Sequence, residues 1–188
     1  MLLLGGCPLG HRGVALKTDE HYEAQAKLTL KHLLELREPI SAAAEFFSFD
    51  RCLIAAIISR ETGGDPAQFI GDHGHGCGPM QVDDRSEPKF CADYKAGNLK
   101  PVDGIWMGCR ILQIKQREMV RFFPSITLPE IKARMIAAYN CGSGNVHKAI
   151  TQGLDCDHYT AGGDYSTDVL VRANWLKGNG FFDSRMLV

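Results

Sequence analysis

Apolar residues recur at helical spacing along much of the chain. From Thr18 to Arg37, Tyr22, Ala26, Leu30, Leu33 and Leu34 fall near one face, while Lys27, Lys31 and Glu35 fall elsewhere. This pattern predicts a helix capped by Thr18 or Asp19 and stopped by Pro39. Ser41 to Phe47 predicts a short second helix. Asp50 then precedes the strongly apolar run Cys52-Leu53-Ile54-Ala55-Ala56-Ile57-Ile58-Ser59-Arg60-Glu61. Its β-branched residues leave a buried strand open on periodicity alone. The cap and the two alanines favour a helix, ended by Thr62-Gly63-Gly64-Asp65-Pro66.

Gly71 to Gly78 holds four glycines in eight residues, interleaved with Asp72, His73, His75 and Cys77. No helix survives that density of glycine, so short β-structure or tight loops are expected, running into Met80-Gln81-Val82-Asp83. Pro88 to Pro101 reads as irregular. Val102 to Phe123 returns to helix, with Ile105, Cys109 and Leu112 on one side. Thr127-Leu128-Pro129-Glu130 has the form of a capping box with proline in the first turn. Ile131, Met135 and Tyr139 continue that helix to Gly142, and Ser166 begins a last one carrying Val169, Leu170, Ala173 and Leu176 inward. There is no internal repeat. The expected fold is mainly α, a single domain with one Gly-rich, β-like insert between helices.

At 188 residues, the chain suits one compact domain. With 45% hydrophobic and 23% charged residues, the composition is that of an ordinary globular protein. A formal charge of −1, without blocks of like charge, gives no footprint for nucleic acid. No apolar run approaches the roughly 20 residues of a membrane span, so no membrane partner is expected. Met1-Leu2-Leu3-Leu4 is too short, and lacks the basic start, to be read as a signal peptide. Residues 1–17 are expected to form a flexible N-terminal segment, and 18–188 the functional domain. The seven cysteines, Cys7, Cys52, Cys77, Cys91, Cys109, Cys141 and Cys156, include no CxxC pair. Two readings stay open: some disulfides with at least one thiol left over, or buried thiols acting as small hydrophobes.

Glu61 carries the first chemical signal. It stands one turn beyond Ile57 and two beyond Leu53, at the rim of a face that should point into the core. Partial desolvation raises a carboxyl pKa, and a carboxyl still protonated at neutral pH is what general acid catalysis needs. Asp72 within the Gly-rich stretch and Asp83 just after it supply candidate partners. An inverting glycosidase sets its acid and base about 6.5–9.5 Å apart to admit a water. A helix-end Glu opposite loop aspartates is one way to build that gap, although Asp in Gly-rich turns commonly serves the turn itself.

Three segments carry a resemblance. Ile57-Ile58-Ser59-Arg60-Glu61 resembles the helix that ends on the catalytic Glu in goose-type lysozymes and their lytic transglycosylase relatives. Gly71-Asp72-His73-Gly74-His75-Gly76-Cys77-Gly78-Pro79-Met80-Gln81-Val82-Asp83 resembles that family's G-D-x-G-x-G-x-G-x-M-Q-V-D block. Ala137-Ala138-Tyr139-Asn140-Cys141-Gly142-Ser143-Gly144-Asn145-Val146 resembles its A-Y-N-x-G-x-G-N-V block. The similarity runs from about Lys31 to Lys177. It implies an α+β lysozyme-like fold of about seven helices, with a small three-stranded antiparallel sheet at the cleft. It also implies inverting hydrolysis of the β-1,4 bond between N-acetylmuramic acid and N-acetylglucosamine in bacterial peptidoglycan. Glu61 falls on the general acid, and Asp72 and Asp83 on the aspartates that hold and activate water. Gln81, Tyr139, Asn140 and Tyr165 fall on cleft positions that bind sugar. No cofactor or metal is implied. The expected protein is a monomer acting on glycan strands, extracellular or lysosomal.

The sequence departs from the family where a histidine after M-Q-V-D is replaced by Glu87, and in the placing of most cysteines. Three alternatives remain. A lytic transglycosylase uses one Glu and no water, which the two aspartates argue against. A non-catalytic sugar-binding domain has no need of all three carboxylates. A metal protein would use His73, His75 and Cys77, whose spacing is not typical of zinc but would share a face on a strand.

Overall fold

A computed structural model describes residues 17–183; the predicted N-terminal segment 1–17 therefore lies, apart from Lys17, outside the described residues. Eight α-helices are found among them, one more than the resemblance implies: α1 (Asp19–Glu35), α2 (Arg37–Phe47), α3 (Arg51–Glu61), α4 (Pro88–Lys95), α5 (Pro101–Phe122), α6 (Leu128–Cys141), α7 (Ser143–Thr151) and α8 (Tyr165–Gly178).

The fold is built around α3. Every residue from Cys52 to Ser59 is buried, as expected of a helix that is apolar all round. It packs against α1, α2 and α8, while α5 packs against α2 and α6. Asp50 caps α3 as predicted, its side chain accepting from Cys52 N–H at 2.8 Å. The capping box at Thr127 also forms: Glu130 takes the Thr127 N–H at 2.9 Å, and the Thr127 hydroxyl faces Glu130 N–H.

Three details differ from the sequence reading. Pro39 does not end the first helix in open chain; α2 begins at Arg37 and Pro39 sits in its first turn, where a missing N–H costs nothing. Residues 88–95, read as irregular, form α4, with Pro88 at its first position and Cys91 and Tyr94 buried on one side. Gly142, at φ 85°, ends α6 but lets α7 start at once with Ser143.

The Gly-rich stretch folds into three two-residue strands, β1 (Ile70–Gly71), β2 (Gly76–Cys77) and β3 (Val82–Asp83), antiparallel in that order. Gly71 pairs with Gly76, and Gly76 with Asp83. The glycines answer to a close approach: a Cβ at Gly71 or Gly76 would collide with the Gln81 amide oxygen. The six described cysteines are all free thiols. Burial pushes Cys52 up to about 11 and Cys109 to about 12, so they serve as small apolar fillers.

Candidate active site

Glu61 is the last residue of α3. Thr62 fixes the way the chain leaves that helix: its buried hydroxyl donates to Pro79 O at 2.9 Å. On the other side of the Gly-rich loop, the Tyr139 hydroxyl donates to Met80 O at 2.8 Å. Two successive loop carbonyls are thus tied to α3 and α6. These bonds anchor the insert that carries Asp72 and Asp83 beside the helix that carries Glu61.

A cleft of about 450 Å³ opens between these elements, lined by Glu61, Asp72, Asp83, Gln81, Tyr139 and Asn140, together with His75 and Arg85. The three predicted carboxylates and three of the four predicted sugar contacts therefore meet in one place. A larger cavity, about 570 Å³, lies at the other end of α3 beside Phe49, Lys177 and Phe182. It has neither the Glu nor the Gly-rich loop.

Tyr165 is placed differently. It is 1% exposed, behind the cleft wall, and its hydroxyl donates to Glu61 Oε1. It does not line the cleft and touches it only through Glu61. Behind it, the Arg60 guanidinium lies over the Tyr165 ring, 5.6 Å from its centroid, and pairs with Asp168 at 2.7 Å. Asp168 is also gripped by Arg172 at 2.5 and 3.2 Å, and Arg172 donates to Ser59 O and Oγ. Most of the positive charge next to Glu61 is thereby directed away from it.

Glu61 keeps some surface open to the cleft, yet protein crowds its carboxyl. Burial pushes it up to about 7, against the Tyr165 hydrogen bond and the Arg60 charge, which favour the ionised form. Tyr165 and Tyr139 rise well above 10 through burial and then through the Glu61 charge, so both remain donors. Asp83 is the opposite case. The Arg85 side chain holds its carboxyl below the usual range, with burial opposing and the Arg85 N–H assisting.

Asp72 is exposed and adopts a left-handed φ of 47°. His73 follows in the same turn at φ 54°. The turn breaks the strand alternation that a His73, His75 and Cys77 metal site requires, and Cys77 is buried in β2. His75 instead pairs with Asp84 at 2.9 Å. Asp155, Cys156 and Asp157 cluster elsewhere, but the Asp157 oxygens accept the Ser166 and Thr167 N–H groups and cap α8.

Gln81 lies at φ 50°, and its amide donates to Gln68 O at 3.1 Å and Gly78 O at 3.0 Å. It stitches the insert together as well as lining the cleft. Asn140 Oδ1 accepts the Ala161 N–H at 2.8 Å, which leaves its NH₂ group for another partner. Arg85 escaped the sequence reading. The one signal available was a cation two residues after an Asp already under suspicion.

The family model described as Lysozyme g matches residues 13–180. The chain is 30% identical to a "Lysozyme g" of Takifugu rubripes over 156 residues, covering 82% of this chain and 80% of the relative. It is 35% identical to a "Lysozyme g" of Cyprinus carpio over 175 residues, covering 87% and 86%. A "Lysozyme G" of Dromaius novaehollandiae is 30% identical over 158 residues, covering 83% and 72%.

Proposed function

The chain belongs to the lysozyme g family, and from that premise we propose that its cleft cuts peptidoglycan glycan strands by an inverting mechanism with Glu61 as general acid. The protein is a lysozyme, a glycoside hydrolase whose substrate is bacterial peptidoglycan. One observation carries the residue assignment: a carboxyl raised to about 7 by burial faces, across one cleft, two aspartates of which one is held low. Environments that drive carboxyl pKa values apart separate acid from base.

In this reading Glu61 gives its proton to the glycosidic oxygen as the bond to the anomeric carbon breaks. Asp72 and Asp83 hold a water on the opposite face of the sugar, and its oxygen attacks that carbon as a carboxylate takes its proton. Two carboxylates on the water side favour hydrolysis over an intramolecular ring closure. The Asn140 amide, the Gln81 amide and the Tyr139 ring suit an N-acetyl sugar, which offers an acetamide and apolar ring faces. Tyr165 orients Glu61. Residues 18–188 act as one catalytic unit and as a monomer, outside the cell or in lysosomes. No helix among the described residues is long and apolar enough to cross a membrane. The experiment is product stereochemistry by NMR. The initial sugar released should be the α-anomer, and an initial β-anomer contradicts inversion.

A further inference from the structure

One charged side chain in the cleft has no task in that mechanism. Arg85 donates through Nε to both oxygens of Asp83, at 2.8 and 3.1 Å, and its backbone N–H donates to Asp83 Oδ1 at 2.8 Å. Its Nη2 stands 3.5 Å from Asp72 Oδ2. One guanidinium thus touches both aspartates. The Asp83 end of the pair is set locally, because an Asp that accepts the N–H two residues on closes an Asx turn. The other end reaches across to the left-handed turn at Asp72.

We propose that Arg85 is a positioning residue that joins the two aspartates into one unit and divides their work, Asp83 as a fixed anion and Asp72 as the base that deprotonates water. This rests on the inverting lysozyme reading above. A carboxylate offers about four lone-pair sites, and Arg85 fills three on Asp83. A carboxylate so engaged accepts a further proton poorly. Among the described residues, Asp72 has only the longer contact, so its oxygens stay open to the cleft. The Arg85 charge lies beside both carboxylates, and it favours the ionised form of Asp83.

The step balances. The water oxygen bonds to the anomeric carbon, Asp72 takes the water proton, the bond to the glycosidic oxygen breaks, and that oxygen takes the Glu61 proton. Turnover leaves Asp72 protonated and Glu61 ionised, and exchange with solvent resets both. The other charges around the unit are paired: Asp84 holds Lys95 of α4 at 2.8 Å and His75 at 2.9 Å. Glu61 lies across the cleft, and its own balance is set by burial, Tyr165 and Arg60.

The test is kcat and KM against pH on soluble peptidoglycan fragments for Arg85→Ala and Arg85→Lys. Arg85 is exposed, so neither change disturbs the core. In Arg85→Ala, kcat should fall about 10–100-fold with KM changed less than about threefold. The acid limb should move up by about one pH unit as Asp83 loses its cation and takes up a proton more readily, while the limb set by Glu61 stays. Arg85→Lys should restore the acid limb but only part of kcat, since lysine supplies charge without the fork. An unmoved acid limb, or a loss confined to KM, overturns the proposal and makes Arg85 a sugar contact. Azide tests the division of labour, because it attacks without needing a base. It should rescue Asp72→Asn about tenfold or more, giving an α-glycosyl azide, and leave Asp83→Asn unrescued. Rescue of Asp83→Asn, or none of Asp72→Asn, overturns the division. A β-anomer from the wild type would sink the inverting reading itself, and that measurement involves no Arg85 variant.

Discussion

The two ends of α3 each carry a carboxyl, and the two behave oppositely. At the N-terminus, burial works against the Asp50 charge, but the Cys52 N–H and Lys177 outweigh it and lower its pKa. The helix dipole assists, since the N-terminus favours an anion. At the C-terminus Glu61 meets deeper burial, the negative end of the dipole, and a neighbouring arginine already committed to Asp168. One helix thus makes one carboxyl a structural cap and the other an acid that keeps its proton to about 7. Side-chain chemistry alone decides neither role; position on the helix and the partners at each end do.

The sharpest way to break this contrast is Glu61→Gln. Activity on cell-wall suspensions should fall about 10³-fold, the scale of a lost general acid, with the fold intact by circular dichroism. The same variant should change stability in a pH-dependent way. A folded-state pKa raised to about 7, above an unfolded value near 4.3, means the wild type holds its proton more tightly when folded. That advantage is complete below the unfolded pKa and is lost as pH rises through about 7. At pH 8 the Gln variant should therefore be more stable by on the order of 1–3 kcal/mol in urea unfolding, reduced by whatever water reaches the cleft rim. At pH 4 the difference should vanish.

Tyr165→Phe is a finer probe. It removes the donor to the ionised form, so the basic limb of the rate profile should shift to higher pH, with kcat about tenfold lower from looser orientation. An unshifted basic limb would remove Tyr165 from the account of Glu61. The smallest effect belongs to the other end. Asp50→Ala should cost about 1 kcal/mol of stability by thermal melting and leave kcat alone, because it stands one helix length away, about 16 Å for eleven residues at 1.5 Å each.

Much of this contrast was legible in the sequence. The Asp50 cap and the apolar run to Glu61 follow from local chemistry, as does the Thr127 capping box. The Gly-rich block and the Tyr139-Asn140 block brought the cleft together through resemblance. What was not legible depends on distant partners. Helix α4 has eight residues, too few to be stable alone, and it exists because Cys91 and Tyr94 pack against β2 and β3. Helix α7 was hidden by Gly142-Ser143-Gly144, which reads as a turn until Gly142 adopts φ 85° and Ser143 bonds Glu118. Tyr165 and Glu61 lie 104 positions apart, and no periodicity reports that the tyrosine stands behind the acid. Arg85 shows the same limit within the insert, since its reach to Asp72 requires the turn to be folded.

Glu61 titrates near neutral pH, at about 7, while Asp50 at the other end of the same helix ionises below the ordinary carboxylate range. Side-chain carboxyl ¹³C chemical shifts followed through a pH titration test this difference directly, with Glu61 identified by the signal lost in Glu61→Gln. The Glu61 signal should titrate at about 7 and the Asp50 signal below the ordinary carboxylate range. A Glu61 midpoint near 4.3, the value of a solvated glutamate, would contradict it.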